Sequence, residues 1–182
     1  VNDMKLIGKH NYENVMAAIG VAMSMGIPMD IIISTVKEFK AVEHRIEYVR
    51  ELNGVVYYND SKGTNTDAAI KAIEAMTRPT ILIGGGYDKH SEYDDWVLAF
   101  KDRAKHLILL GATRNKIAEC AKKHGYDKIT FVSTLSEAVS LSAKMAESGD
   151  AVLLSPACAS WDMFESYEQR GKMFKEYVNQ LN

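Results

Sequence analysis

Strand-like and helix-like patterns alternate along the chain from about residue 46 to its end. Short runs of β-branched, aliphatic and aromatic residues predict strands near 46–51, 54–59, 79–84, 106–111, 129–132 and 150–154. Apolar positions recurring every three or four residues predict helices near 65–76, 92–103, 113–124, 134–148 and 164–180. This alternation is typical of an α/β Rossmann-like fold, in which a six-stranded, mostly parallel sheet carries helices on both faces.

The first two predicted strands are joined only by Leu52-Asn53-Gly54. A parallel connection needs a crossover of a dozen or more residues, whereas a hairpin needs only two. The opening strand is therefore expected to lie antiparallel to its neighbour.

A different pattern precedes the sheet. Residues 11–26 have apolar residues on one helix face and end at Gly26, and Pro28 then opens a second helix that runs to about Phe39. Residues 1–43 are therefore expected to form a short helical unit ahead of an α/β domain at 44–182. The sequence opens at Val1 without a methionine, which fits a piece of a longer chain.

Composition excludes several classes of function. The net charge is −2 with scattered Lys and Arg, so a nucleic-acid surface is not expected. No apolar run approaches the ~20 residues that cross a bilayer, and no membrane association is predicted. Cys120 and Cys158 lie far apart, which predicts neither a disulfide scaffold nor a metal site and fits a reducing cytoplasm. The histidines are expected on the surface without partners at ligand spacing: His90, His106 and His124.

A turn rich in polar groups joins the strand near 54–59 to the following helix. Its residues are Asn59-Asp60-Ser61-Lys62-Gly63-Thr64-Asn65. Ligands of α/β folds bind at the carboxyl ends of strands, and this turn offers an acid, an amine, hydroxyls and amides there. A structural interpretation is equally open, because these are ordinary turn residues and Thr64 is a suitable helix cap.

Two more loops follow predicted strands. Gly84-Gly85-Gly86 allows close backbone approach to a ligand, but Lys89 stands where a dinucleotide fingerprint needs glycine. From the residues alone, this loop is as consistent with a structural turn as with a ligand site. In the segment 155–160, neither Cys158 nor Ser160 has a G-x-S-x-G elbow or an obvious base, which disfavours a nucleophilic role.

Five segments, in this order and spacing, resemble the C-terminal part of the D-glutamate-adding enzymes of the Mur ligase family. The resemblance spans nearly the whole chain, and its most specific parts are the third and the fifth of these segments. The segments are Gly8-Lys9-His10-Asn11-Tyr12-Glu13-Asn14, His44-Arg45-Ile46-Glu47, Asn59-Asp60-Ser61-Lys62-Gly63-Thr64-Asn65, Gly84-Gly85-Gly86-Tyr87-Asp88-Lys89 and Ser155-Pro156-Ala157-Cys158-Ala159-Ser160-Trp161-Asp162.

The resemblance implies an ATP-dependent ligase of peptidoglycan synthesis. Such an enzyme phosphorylates the carboxylate of UDP-MurNAc-L-alanine with ATP and Mg²⁺, and the amine of D-glutamate then attacks the acyl phosphate. It implies a cytoplasmic monomer whose partners are these small molecules. Residues 1–43 would be the tail of the central ATP-binding domain, and residues 44–182 would be the glutamate-binding domain.

The resemblance also implies roles for individual residues. Those assigned to D-glutamate are Lys62, Thr64, Lys89, Ser160, Trp161 and Tyr167, and those assigned to ATP are Asn11, Asn14, Arg45 and Asp60. Lys89 would approach a substrate carboxylate, Asn14 the adenine, and Asp60 a ribose hydroxyl. Trp161 and Tyr167 depart from the leucine and phenylalanine of some relatives, so their contacts are less defined. Without the family, His10, Asn11 and Asn14 are equally consistent with an amide-capped helix start.

No G-x-x-x-x-G-K-[ST] loop occurs in the sequence, although an ATP-dependent ligase needs a triphosphate cradle. The resemblance places this loop and the magnesium ligands upstream of Val1, so no catalytic residue is assigned here and the chain is expected to be inactive alone. Two alternatives remain open. One is another Mur-type or folylpolyglutamate ligase, and the other is a non-catalytic nucleotide-binding module.

Overall fold

A computed structural model describes residue 4 and residues 6–182. Within these residues, seven helices and six strands follow one another in the predicted order. The helices are α1 (Lys9–Ser24), α2 (Met29–Glu38), α3 (Thr66–Glu74), α4 (Asp94–Leu98), α5 (Arg114–Lys123), α6 (Leu135–Met145) and α7 (Tyr167–Gln180). The strands are β1 (Glu47–Leu52), β2 (Val55–Asn59), β3 (Thr80–Gly84), β4 (Ala104–Leu109), β5 (Ile129–Phe131) and β6 (Ala151–Leu154).

The strands form one sheet in the order β1-β2-β6-β3-β4-β5. The predicted antiparallel position of β1 is confirmed, and the other neighbouring strands pair in parallel. Asn53 and Gly54 join β1 to β2 with φ angles of 53° and 79°. Two consecutive positive φ angles make the tight turn that matches the twist of a hairpin.

The core consists of two layers, one on each face of the sheet. One layer packs α3, α4 and α5 against the sheet through residues such as Ile73, Trp96 and Ile117. The other packs α6 and α7 through residues such as Val139 and Phe174. Neighbouring positions of a strand enter opposite layers, and the central strands are buried on both sides. This accounts for their continuous apolar runs.

Helix α4 is shorter than predicted. The pattern predicts a helix over 92–103, whereas the structure ends α4 at Leu98. Phe100 turns into the core against Trp96, with its ring centroid 5.2 Å from the Trp96 ring. Lys101 follows with a φ of 44°, which a right-handed helix cannot accommodate. Burial of Phe100 therefore overrides the helical periodicity.

The helical unit at the start of the chain leaves much apolar surface uncovered. Helix α1 has no buried residue, and α2 buries only Ile32. Nine large apolar residues of this unit each expose more than a third of their own surface: Met16, Val21, Met23, Met25, Ile27, Met29, Ile31, Ile33 and Phe39. No helix in the described part of the chain has both the length and the apolar content that a bilayer crossing requires.

Gly85 holds the loop after β3 in a conformation that other residues rarely adopt. Its φ is 101°, and its amide donates to the Pro156 carbonyl at 2.9 Å. A Cβ at this position would collide with the Leu110 carbonyl oxygen. A side chain here therefore requires movement of two loops.

Replacing Gly85 with alanine is expected to lower the free energy of unfolding by at least ~2 kcal/mol, because backbone strain and a steric clash add. Denaturant unfolding of the 182-residue chain measures the change. Gly20→Ala is the matched control, since Gly20 lies within α1 with no atom near its missing Cβ. There alanine should be neutral or stabilise by up to ~1 kcal/mol. Equal effects of the two substitutions would contradict this account of Gly85.

Candidate functional site

Three polar loops meet at one edge of the sheet. The loop that carries Thr64 follows β2, the loop that carries Ser160 follows β6, and the loop that carries Lys89 follows β3. Strand β6 lies between β2 and β3, and the three strands run parallel. Their carboxyl ends therefore bring the three predicted loops side by side, at the place where α/β folds bind ligands.

Backbone hydrogen bonds tie the loop after β6 to its neighbour. The Tyr87 amide donates to the Ala159 carbonyl at 2.9 Å, beside the bond from Gly85 to Pro156. Tyr87 and Ala159 also form an isolated β-bridge. The loops after β3 and β6 are thus held together by main-chain contacts, which fix their separation independently of side chains.

A buried arginine links the loops after β2 and β6. Arg170 of α7 is only 3% exposed, and its guanidinium donates to the Ser61 hydroxyl at 2.9 Å and to the Ser61 carbonyl at 2.8 Å. It also donates to the Cys158 carbonyl at 3.2 Å and the Ala159 carbonyl at 3.4 Å. The planar donor fork thereby holds both loops at a fixed distance.

Sequence reasoning missed Arg170. A signal was present, because Arg170, Phe174 and Val178 are spaced four residues apart and are all buried on one face of α7. A cation on an apolar helix face indicates a specific polar partner inside the fold. Burial lowers the pKa of Arg170 to about 10, so the side chain stays charged at neutral pH.

A second buried network lies where the helical unit joins the sheet. The Asn59 side chain lies 2.9 Å from His44 Nδ1 and donates to a Glu47 carboxylate oxygen at 3.0 Å. Lys175 of α7 donates to the other Glu47 oxygen at 3.0 Å. His44 has a φ of 65°, and burial lowers the pKa of its imidazole. The network fixes the path of the chain into β1.

Asp60 lies under the loop after β2 rather than on its surface. It is 4% exposed, and its two oxygens accept from the Ile46 amide at 3.2 Å and from the Ser155 hydroxyl at 2.8 Å. Burial raises the pKa of Asp60 to about 7, and these hydrogen bonds only partly offset that effect. Asp60 therefore already ties the loop to β1 and β6, while its predicted contact with a ribose stays a prediction.

Three of the residues assigned to ATP line one cavity of about 520 Å³ between the helical unit and the sheet. They are Asn11, Asn14 and Arg45, and apolar side chains such as Val15 and Phe39 form the remaining wall. Helix α1 begins after Gly8 without a side-chain cap, and the Asn11 side-chain Nδ2 donates to the Ile7 carbonyl at 2.7 Å. The amide-cap alternative for this segment is therefore wrong.

A neighbouring cavity of about 420 Å³ is lined by Thr64, Asp60 and Tyr167. Arg45 and Lys62 line both cavities, so two cations stand at their common wall. The Lys62 ammonium lies 5.4 Å from the Tyr167 ring centroid. Thr64 does not cap α3, because the cap is Asn65, whose side chain accepts from the Ala68 amide at 2.9 Å.

The other residues assigned to D-glutamate lie outside these two cavities. The Lys89 ammonium lies 5.1 Å from the ring centroid of Trp161, which is 63% exposed, and the Tyr87 ring packs on the same indole. Ser160 is buried next to Trp161. The structure thus brings Lys89 and Trp161 together at the sheet edge, and Lys89 is not among the residues that line the two cavities described above.

The structure gives no support to a nucleophilic cysteine. Cys158 is buried, with its sulfur 3.2 Å from the Tyr93 hydroxyl and 3.3 Å from the Thr113 hydroxyl. Burial raises the pKa of the Cys158 thiol, which keeps it protonated. Thr113 also hydrogen-bonds both backbone groups of Gly86, so this cluster supports the glycine loop.

Two of the histidines expected to lack partners do have them. His106 lies 2.9 Å from the Thr130 hydroxyl. His124 lies 2.7 Å from an Asp94 carboxylate oxygen, and Cys120 is close to both. The expectation for His124 is wrong, because the fold places Asp94 of α4 beside it, and the two residues are thirty positions apart in the sequence.

Most of the residues that form the sheet match a known protein family. Residues 44–158 match the family model described as Mur ligase, glutamate ligase domain. The chain is 64% identical over 181 residues to UDP-N-acetylmuramoylalanine--D-glutamate ligase of Lachnospira eligens, covering 100% of this chain and 40% of that relative. It is 52% identical over 180 residues to the enzyme of the same name from Clostridioides difficile, covering 99% of this chain and 40% of that relative.

Solved structures share the fold at low identity. UDP-N-acetylmuramate-alanine ligase MurC from Thermotoga maritima superposes with a TM-score of 0.72 at 16% identity, over 97% of this chain and 39% of that one. Folylpolyglutamate synthase from the same organism gives a TM-score of 0.63 at 18% identity, over 97% of this chain and 40% of that one. The predicted α/β architecture is confirmed.

The burial of Asp60 predicts a pH-dependent effect of Asp60→Asn. The raised pKa means that the folded protein binds more protons at Asp60 than the unfolded chain between about pH 4 and pH 7. The stability of the wild type relative to Asp60→Asn should therefore fall as pH rises through this range. A shift from the usual value to about 7 corresponds to a change on the order of 4 kcal/mol.

Chemical denaturation of both proteins from pH 4 to pH 8 measures this difference. Asparagine can accept from the Ile46 amide and donate to Ser155, so the substitution removes the charge but keeps the contacts. Asp127→Asn, at an exposed carboxylate, controls for the loss of one negative charge. A constant difference between wild type and Asp60→Asn across the range would show that Asp60 ionises normally when folded.

Proposed function

This chain belongs to the Mur ligase family, and we propose that it forms the C-terminal part of a UDP-N-acetylmuramoylalanine--D-glutamate ligase. The family match covers residues 44–158. The chain spans about 40% of the length of the curated relatives it matches, so the activity proposed is that of a longer protein. In that protein this chain would bind D-glutamate and complete the nucleotide site.

One observation carries the proposal. The cavity between the helical unit and the sheet and the neighbouring cavity at the loop after β2 are both lined by Arg45 and Lys62. A ligase that joins a phosphorylated carboxyl group to an amino acid must hold a nucleotide and an acidic substrate side by side. Two cations between the cavities would face the phosphates on one side and carboxylates on the other.

The reaction proposed for the longer protein has two steps. The carboxylate of UDP-MurNAc-L-alanine attacks the γ-phosphorus of ATP, which releases ADP and forms an acyl phosphate. The amine of D-glutamate then attacks the acyl carbon, an amide bond forms, the C–O bond to phosphate breaks, and the amine releases its proton. Binding D-glutamate in a fixed position supplies much of the rate of the second step.

The cavity lined by Asn11, Asn14 and Arg45 fits a nucleotide. Its wall is largely apolar, which suits the faces of a base, and the amides can hydrogen-bond base edges. Arg45 lines this cavity and is exposed, so a phosphate can reach it. Val1 to Glu43 would then be the tail of an ATP-binding domain, and the uncovered apolar face of α1 and α2 supports this, because such a face calls for a covering partner.

The D-glutamate site is proposed at the loops after β2, β3 and β6. Thr64 and Lys62 offer a hydroxyl and a cation from one loop, and Lys89 offers a second cation from another. Ser160 and Trp161 lie between them at the end of β6, and Tyr167 borders the same region. Two carboxylates of D-glutamate require two separated groups of donors, and the loops supply them.

The described residues do not fit a site for Mg²⁺. The one trio of possible metal ligands in the described ranges is Asp94, Cys120 and His124, and it includes sulfur and nitrogen. Mg²⁺ prefers oxygen ligands in octahedral geometry. The resemblance assigns the magnesium ligands to the part of the longer protein that precedes this chain.

The alternative ligases differ in the amino acid that they add. The curated relatives at 52–64% identity carry the D-glutamate name, whereas the folylpolyglutamate synthase is 18% identical and shows the shared fold alone. The identity therefore favours D-glutamate. Assay of the full-length protein with D-glutamate, L-glutamate, L-alanine and diaminopimelate separates these alternatives, and preference for any other amino acid would exclude the proposal.

The 182-residue chain is expected to fold alone but to lack ligase activity. Six strands form one sheet with a buried core layer on each face, while the sequence contains no phosphate-binding G-x-x-x-x-G-K-[ST] loop. Circular dichroism tests folding, and phosphate release with all three substrates tests activity. Phosphate release that requires both ATP and D-glutamate would contradict the prediction.

Lys89→Ala in the full-length ligase is expected to weaken D-glutamate binding by ~2–5 kcal/mol, because it removes a cation from a substrate carboxylate. Thr64→Ala and Ser160→Ala should each weaken it by ~1.5–3 kcal/mol. Steady-state kinetics should show these changes in KM for D-glutamate more than in KM for ATP.

Lys144→Ala is the matched control, because Lys144 is an exposed lysine on α6, outside the three loops of the candidate site. It should leave both KM values within twofold of wild type. A normal KM for D-glutamate in Lys89→Ala would remove Lys89 from the site without excluding ligase activity.

A further inference from the structure

Three side chains with metal-binding atoms meet between α4 and α5. They are Asp94, Cys120 and His124, and one ligand atom from each lies within 4.8 Å of the other two. His124 Nε2 lies 2.7 Å from Asp94 Oδ1. All three side chains are partly exposed, so an ion could reach them from solvent.

Rigid elements hold this cluster. Cys120 lies on α5, and His124, four residues on, is the residue that caps the carboxyl end of that helix, so the two side chains lie one turn apart. Asp94 lies in the first turn of α4, which the buried Trp96 anchors in the core. The convergence therefore depends on packing that the fold already requires, and little ordering would be needed for an ion to bind.

We propose that Asp94, Cys120 and His124 form a Zn²⁺ site with three protein ligands and a water molecule in the fourth position. Zn²⁺ binds sulfur, nitrogen and carboxylate oxygen at about 2.0–2.3 Å in tetrahedral geometry. Ligand atoms around such an ion are separated by roughly 3.3–3.8 Å. Small side-chain rotations would bring the three atoms to these separations.

The ligand chemistry selects against the common hard cations. A thiolate and an imidazole favour Zn²⁺ and similar ions, whereas Ca²⁺ and Mg²⁺ prefer oxygen. On binding, the Cys120 thiol loses its proton to solvent and the neutral His124 nitrogen turns from Asp94 to the metal. Lys123, whose ammonium lies 2.9 Å from Asp94 Oδ1, would be displaced.

The site is separate from the loops at the carboxyl ends of β2, β6 and β3. Asp94 lies on α4, Cys120 on α5 and His124 at the carboxyl-terminal cap of α5, and both helices pack in the core layer that covers one face of the sheet. An ion there would cross-link two helices that are otherwise joined by side-chain packing and by the contacts of Asp94 with Lys123 and His124. The site is therefore assigned to structural stabilisation, and its test does not depend on the proposed ligase activity.

Metal titration of the tag-free, metal-stripped 182-residue chain tests the proposal. Co²⁺ should bind with a stoichiometry of one and give a thiolate-to-cobalt charge-transfer band in the near ultraviolet. Zn²⁺ should displace it and raise the melting temperature. Cys120→Ser should abolish the band, and Asp94→Asn and His124→Gln should each weaken Zn²⁺ binding at least tenfold. Lys123→Ala should bind Zn²⁺ at least as tightly as wild type, because a competing cation is gone.

His90→Asn is the matched control, since His90 is an exposed histidine in the loop after β3. It should leave Zn²⁺ affinity unchanged. Circular dichroism without metal establishes that each variant is folded. Absence of the charge-transfer band in wild type, or unchanged affinity in both Cys120→Ser and His124→Gln, would overturn the proposal. Loss of affinity in His90→Asn as large as in His124→Gln would also overturn it.

Discussion

The buried guanidinium of Arg170 is the constraint on which the arrangement of the loops depends. Within the described part of the chain its donors bond to the hydroxyl and carbonyl oxygens of Ser61 and to the carbonyl oxygens of Cys158 and Ala159, all of which are uncharged. A buried cation without these acceptors would carry a large desolvation cost. The two loops must therefore stay within hydrogen-bond distance of Arg170 whenever the domain is folded. The positions of the candidate ligand groups on these loops are fixed in the same way.

Other buried polar groups also hold the loop after β2 in place. Asp60 joins the loop after β2 to the starts of β1 and the β6 loop, and Asn59 joins it to His44 and Glu47. Because these buried groups have hydrogen-bond partners, the networks stabilise one arrangement of the loop rather than several. The exposed ammonium groups of Lys62 and Lys89 lie outside these hydrogen-bond networks, over the rings of Tyr167 and Trp161, and they are among the groups assigned to substrates.

Sequence patterns predict the architecture because apolar periodicity is local, and six strands follow directly from it. They do not predict where α4 ends, since that depends on Phe100 reaching a core built by distant elements. The candidate site divides in the same way. Residues at strand ends, such as Thr64, could be identified from the chain alone, whereas the burial of Asp60 and the role of Arg170 depend on contacts across more than ninety residues.

The position of β6 has a consequence for synthesis of the protein on the ribosome. Ala151 pairs with both Val56 and Thr80, so β6 fills the gap between strands made much earlier. Until it emerges, β2 and β3 both present unpaired edges, and open edges invite association with other chains. The domain cannot complete its sheet progressively from the amino terminus, and its nascent chain needs protection until translation has passed β6 and α7.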